Sequence, residues 1–117
     1  MEKDNLKKES SNANTLLPAV RPVVTWFAQR MEAKLAKNDH KGGWGNCTPS
    51  ELYKLLQHEC KELEEKYRAR QIDTARDSEL HLPHFKDTSN DSIIDECADI
   101  ANFAMMIADL YGNEHCR

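Results

Sequence analysis

Apolar residues recur at helical spacing in three stretches of the chain. In the first, Val20, Val23, Val24, Phe27, Met31 and Leu35 fall on one face of an α-helix. Pro18 and Pro22 lie at its start, where proline is tolerated, so the pattern predicts a helix from near Pro18 or Pro22 to about Lys37. In the second stretch Leu52, Leu55, Leu56 and Leu63 mark the apolar side. Thr48 or Ser50 can cap that helix, Pro49 suits its first turn, and Glu51 follows Thr48 at capping-box spacing. Its expected end is about Arg70. The third stretch has Asn90 or Ser92 as a cap and runs from about Asp91 to Tyr111, with Gly112 as its stop. Beyond Asp99 this helix is apolar nearly all round, from Ile100 and Ala101 through Phe103, Ala104, Met105, Met106, Ile107 and Ala108 to Leu110. Such a helix is expected to be buried on most sides. Three helices of this size can hardly cover it, which implies a partner, most simply a second copy of the chain. No stretch shows the period-two alternation of a strand. The expected fold class is all-α, a helical bundle completed by homo-oligomerisation.

Between these helices the pattern breaks. Residues 38–48 hold Gly42, Gly43 and Gly45 around Trp44, which makes a loop. A tryptophan there either plugs a core or offers a flat face to a ligand, and the plug is the first expectation. Residues 71–90 are polar, contain Pro83, and read as a connection with at most one short helical turn. A connection that long is often functional, so a lid that orders on substrate is one reading. Residues 1–15 are charged and rich in Ser and Asn, and are expected to form a flexible arm ahead of one domain over 16–117.

Composition narrows the class. The chain of 117 residues suits one domain, and 31% charged residues mark it as soluble. A net charge of -4 argues against a nucleic-acid partner. No apolar run reaches the roughly 18 residues of a membrane span, and the polar N-terminus lacks a signal-peptide core. Cys47, Cys60, Cys97 and Cys116 form no CxxC pair and are expected to be free thiols in a reducing, cytoplasmic setting. His81 and His84 flank Pro83 without a cysteine pair, which makes a structural zinc site the weaker rival.

The candidate chemistry lies in the acids. Glu59 and Glu62 are spaced i, i+3, as are Glu96 and Asp99. On a helix each pair sits one turn apart on one side. Glu59 is four residues after Leu55 and four before Leu63, on the apolar side. Glu96 lies between Ile93 and Ile100 in the same way, and Asp99 sits at the stripe's edge, four before Phe103. Carboxylates turned toward a core are costly unless neutralised, and a hard divalent cation is the economical partner for oxygen ligands. Either pair alone is more often a solvated face, but two pairs on apolar sides favour a metal site. A di-iron centre expects a Glu-x-x-His pair, which neither helix offers. On the first helix Arg30, Lys34 and Lys37 form a basic stripe, equally readable as a solvated face or a functional one.

ExxE on one helix followed by ExxD on a later one resembles the MazG-like all-α nucleoside triphosphate pyrophosphohydrolases. The gap between Glu62 and Glu96 is longer than that family's compact pattern, and the excess falls in 71–90. FAQRMEAKLAKNDHKGGW, residues 27–44, followed by ELYKLLQHECKEL, residues 51–63, is similar to the phage-associated dATP/dGTP diphosphohydrolase (MazZ-like) branch. The similarity covers residues 20–111, and HKGGW is more specific than ExxE. It implies hydrolysis of a purine deoxynucleoside triphosphate, dGTP or dATP, to the monophosphate and pyrophosphate. It also implies that Glu59, Glu62, Glu96 and Asp99 hold Mg²⁺, with Mn²⁺ as a substitute. The metal would grip the phosphates and activate the water that attacks the α-phosphorus. Lys34, Asn38, Lys41, Trp44 and Asn102 would contact substrate, with Trp44 now equally plug or base platform. The family's site usually lies at a subunit interface, which implies a homodimer or homotetramer, in the host cytoplasm if phage-encoded. The alternatives are a dUTP or dCTP pyrophosphohydrolase of the same group and a non-catalytic helical oligomerisation module.

Overall fold

A computed structural model describes residues 19–77 and 87–115. These form three helices: α1 over Pro22–Lys37, α2 over Pro49–Asp77 and α3 over Asn90–His115. One 3-10 turn, Asp39–Lys41, follows α1. Among the described residues there is no strand, so the fold is all-α as the periodicity requires. The arm at 1–15, Pro18, His81, Pro83, His84 and Cys116 lie outside the described residues, as does 78–86 of the lid reading.

The helix starts follow local chemistry. Pro22 opens α1, and the amides of Val24 and Thr25 donate to the Arg21 carbonyl. At the far end Asn38 Nδ2 donates to the Lys34 carbonyl at 3.2 Å, satisfying one of the carbonyls a helix terminus leaves free. The capping box of α2 forms in both directions. Thr48 N donates to Glu51 Oε1 at 2.9 Å, and Glu51 N donates to Thr48 Oγ1 at 3.1 Å. A cap of this kind is worth about 1 kcal/mol.

Three expectations are corrected. The helix α2 does not stop at Arg70 but continues to Asp77. Residues 71–77 contain neither glycine nor proline, so nothing breaks the hydrogen-bond ladder there. The cap of α3 is Ser89 rather than Asn90 or Ser92: the Ser92 amide donates to Ser89 Oγ at 3.2 Å. The Asn90 side chain instead accepts a hydrogen bond from Arg70 Nη1 at 2.9 Å. Finally, Gly112 does not end α3, which runs on to His115. Glycine stops a helix by taking a positive φ, and Gly42 is the glycine that does so here, at 83°.

Among the described residues helix α3 is the centre, with α1 and α2 each packed on it and not on one another. Helix α2 runs antiparallel to α3. Arg70 meets the start of α3 through Thr88 and Asn90, Lys66 meets Glu96, and Glu59 lies beside Glu96 and Asp99. Helix α1 runs parallel to α3, with Arg30 3.4 Å from Asp91 and 3.5 Å from Asp95, and Lys34 3.5 Å from Asp99. Two members of the basic stripe therefore face acids on α3 instead of bulk solvent. Each partly exposed pair contributes at most about 1 kcal/mol, so their main effect is to set the register of α1.

The apolar core within one chain is small. Among the described residues Leu52 and Ala98 are the buried apolar ones, at 1% and 0% exposure. Large side chains stay exposed, among them Val23, Val24 and Trp26 on α1, Tyr53 and Leu55 on α2, and Tyr111 on α3. Val23, Val24, Trp26, Phe27, Ala28 and Met31 line one shallow apolar hollow. Burial of α3 on most sides is not reached within one chain. Ala104 and Ala108 are exposed, and Ile100, Phe103, Met105, Met106 and Ile107 are half-buried. Cys47, Cys60 and Cys97 are free thiols. No helix of the described residues is long and apolar enough to cross a membrane.

Candidate functional site

The antiparallel pairing of α2 and α3 brings the acids together. Glu59, Glu96 and Asp99 each offer a carboxylate oxygen, and these three atoms lie within 4.8 Å of one another. Glu96 is buried, at 5% exposure, while Glu59 and Asp99 are half-buried. Glu62 is the exception among the four expected ligands. It lies one turn, about 4.5 Å, from Glu59 along α2, and its oxygens fall outside the group of three. Its charge still reaches Glu59.

Crowded carboxylates hold protons tightly. Glu59 is pushed up to about 7, first by the hydrogen bond its protonated carboxyl can make to Glu96, then by burial and by the charges of Glu96, Asp99 and Glu62. Asp99 is raised chiefly by burial, against the pull of the Lys34 ammonium. Two lysines offset part of the charge. Lys66 Nζ sits 3.0 Å from Glu96 Oε1, and Lys34 Nζ sits 3.5 Å from Asp99 Oδ2. The other oxygen of Glu96, Oε2, is buried without a donor. Two ionised carboxylates cannot hydrogen-bond each other, so this atom needs either the Glu59 proton or a cation.

The residues fit a hard divalent ion. All three donors are oxygens, the ligand class that Mg²⁺ and Mn²⁺ take, and their separations suit one ion at about 2.1 Å from each after small rotations. The orphaned Oε2 is the position such an ion would satisfy.

This cluster has a measurable signature. Between the ordinary glutamate range and about 7, the folded chain binds a proton at Glu59 that the unfolded chain has released. Stability without divalent ions therefore falls as pH rises through that window. Glu59 is half exposed, so solvent screening reduces the effect to roughly 1 kcal/mol, a few degrees in Tm. Thermal melts in chelator are expected to show Tm falling from pH 5 to pH 8. Added Mg²⁺ should restore it at pH 8 and do little at pH 5. A Tm indifferent to Mg²⁺ at pH 8 refutes the site.

Beside the acids lies a cavity of about 260 Å³, walled by Lys34, Leu35, Asn38, Asp39, Gly42, Gly43, Trp44, Asp99, Asn102, Phe103 and Met106. Lys34, Asn38, Trp44 and Asn102, expected from sequence, thus line one space. Lys41 does not join them; it ends the 3-10 turn on the exposed surface. Asn102 is buried, at 4% exposure, and its Nδ2 donates to the Met31 carbonyl at 3.1 Å. That bond orients the amide and leaves Oδ1 buried with no donor. An unmet acceptor costs about 1–3 kcal/mol, which a ligand N–H or O–H could recover. Trp44 is half-buried and neither a core plug nor free, because its Nε1 donates to Asp109 Oδ2 at 3.1 Å. The backbone at Gly42 has φ 83°, so the loop that presents Trp44 turns where glycine is favoured.

Sequence reasoning missed two residues of this region. Lys66 lies seven after Glu59 and four after Glu62, on the acids' own face, and that spacing was a usable signal. Asp109 lies seven after Asn102 within an apolar run, where a lone charge calls for a partner. No protein-family model, curated protein or solved structure matches the chain.

Proposed function

We propose that the chain is a divalent-metal-dependent nucleotide pyrophosphohydrolase acting on a purine deoxynucleoside triphosphate, dGTP or dATP. One observation carries the reading: Asp99 belongs both to the acid cluster and to the wall of the cavity. A polyphosphate at the cluster could thus be continuous with a sugar and base in the cavity. Mg²⁺, or Mn²⁺ in its place, would be held by Glu59, Glu96 and Asp99 with Glu62 alongside, and would neutralise phosphate charge and acidify a water.

The chain's own residues supply the rest. Lys34 borders both regions and offers an ammonium to the phosphates. Asn102 offers its orphaned Oδ1 to a donor on the sugar or base. Phe103, Met106 and Leu35 give the cavity apolar walls, and Trp44 gives it an aromatic one. Water attack at the α-phosphorus breaks its bond to the bridging oxygen, and pyrophosphate leaves. The purine preference rests on the resemblance of residues 27–44 and 51–63 to the phage-associated MazZ-like branch. The MazG-like bundle and its completion as a homodimer or homotetramer belong to the same proposal, supported by the apolar hollow on α1.

That hollow also supports a second reading, a non-catalytic oligomerisation module. A nucleotide panel separates the two. Purified protein with Mg²⁺ is expected to release pyrophosphate and monophosphate from dGTP or dATP at least tenfold faster than from dUTP or dCTP. Preference for a pyrimidine would move the assignment within the enzyme class. No pyrophosphate from any nucleotide, with Mg²⁺ or Mn²⁺, would leave the module.

A further inference from the structure

Trp44 stands in a loop with little else to hold it. At Gly42, Gly43 and Gly45 a Cβ would meet nothing within 4 Å, so the backbone around the indole is not packed against a neighbour at those points. Within the loop the backbone bonds are local, from Gly42 N to Asp39 O and from Cys47 N to Trp44 O. The indole, however, reaches across to α3. Its Nε1 donates to Asp109 Oδ2 at 3.1 Å in a half-buried setting, between residues 65 apart in sequence. A hydrogen bond to a carboxylate is of the stronger, charge-assisted kind. Asp109 is also two turns beyond Asn102 on the same face of α3. The orphaned amide oxygen and the anchor of the indole therefore belong to one side of one rigid helix.

We infer that Asp109 is a positioning residue that holds the Trp44 indole in the cavity wall and thereby sets affinity for the base of the nucleotide. The inference rests on the nucleotide reading of the site. Asp109 lies ten residues beyond Asp99, about 15 Å along α3 from that member of the acid cluster. Its loss should free the loop and weaken base binding while the phosphate end stays in register. Stacking on a held aromatic face contributes enough per base for roughly a tenfold change in affinity.

The test compares KM with kcat for the best purine substrate in the full chain with Mg²⁺. Asp109→Ala is expected to raise KM about tenfold and change kcat less than about twofold. Asp109→Asn keeps an oxygen that can accept from the indole and should keep KM near the parent value. Trp44→Phe keeps a ring but loses the N–H, so it should raise KM too. Adding Asp109→Ala to it should raise KM little further, because both changes break the same indole–carboxylate bond. Calorimetric binding of the same nucleotide without divalent ion should show the same order. If Asp109→Ala leaves KM and affinity unchanged, the inference is overturned. An Asp109→Asn variant as impaired as Asp109→Ala overturns it as well, since charge rather than the bond would matter. Failure of the parent chain to hydrolyse any nucleotide is a different result and refutes the functional reading; the binding comparison still judges Asp109.

Discussion

Glu96→Gln is expected to abolish pyrophosphate release, lowering turnover by at least about a thousandfold, equivalent to roughly 4 kcal/mol of transition-state stabilisation. Glu96 is the most buried of the acids at the cluster, its carboxylate crowds that of Glu59, and its Oε2 has no donor of its own. A carboxamide is nearly the same size but carries no charge, so the change removes a cation ligand without opening a cavity. It also relieves the crowding that raises Glu59. The variant should therefore melt no lower than the parent in chelator, and its Tm should lose the response to Mg²⁺. Loss of the Lys66 ion pair works the other way, though a partner at 19% side-chain exposure can turn toward water at modest cost. Glu59→Gln should behave alike. Turnover within tenfold of the parent in both variants, measured by pyrophosphate release at saturating dGTP, would remove the proposed mechanism.

Leu52→Ala is expected to be the most destabilising single truncation among the described residues, by about 3 kcal/mol within the usual 2–5 kcal/mol for a buried leucine. Among the described residues Leu52 is the large side chain that is enclosed fully. It sits in the first turns of α2, just after the capping box, where α2 begins its path along α3. The other enclosed apolar residue, Ala98, has only a methyl group to lose. A domain of this size holds roughly 5–15 kcal/mol in all, so a loss of 3 kcal/mol is a large share of it. Leu55, at 46% exposure, is the control. Urea melts at low protein concentration should give Leu55→Ala less than about 1 kcal/mol. Equal costs at the two positions would show that the core is not where the single chain places it.

Arg30 and Lys34 on α1 and Lys66 on α2 all reach acids of α3. Glu59, Glu96 and Asp99 nevertheless crowd together at the junction of α2 and α3. Charge crowding of this kind lowers stability, and a site that binds a cation recovers it on loading.

Much of the fold was readable from residues alone. Period and capping chemistry are local, so the starts of α1 and α2 followed from Pro22, Thr48 and Glu51, and the face of Glu59 and Glu96 followed from their leucine and isoleucine neighbours. Helix ends were less legible. Gly112 stays helical because nothing at that point demands a positive φ, and no breaker stands between Arg70 and Asp77. The meeting of Glu59 with Glu96 and Asp99, the exclusion of Glu62 from that group, the pairing of Lys66 with Glu96 and the capture of Trp44 by Asp109 belong to the tertiary structure. A sequence states which side of a helix a group occupies. How far two helices slide along one another, and so which groups come within bonding distance, is decided only when they pack.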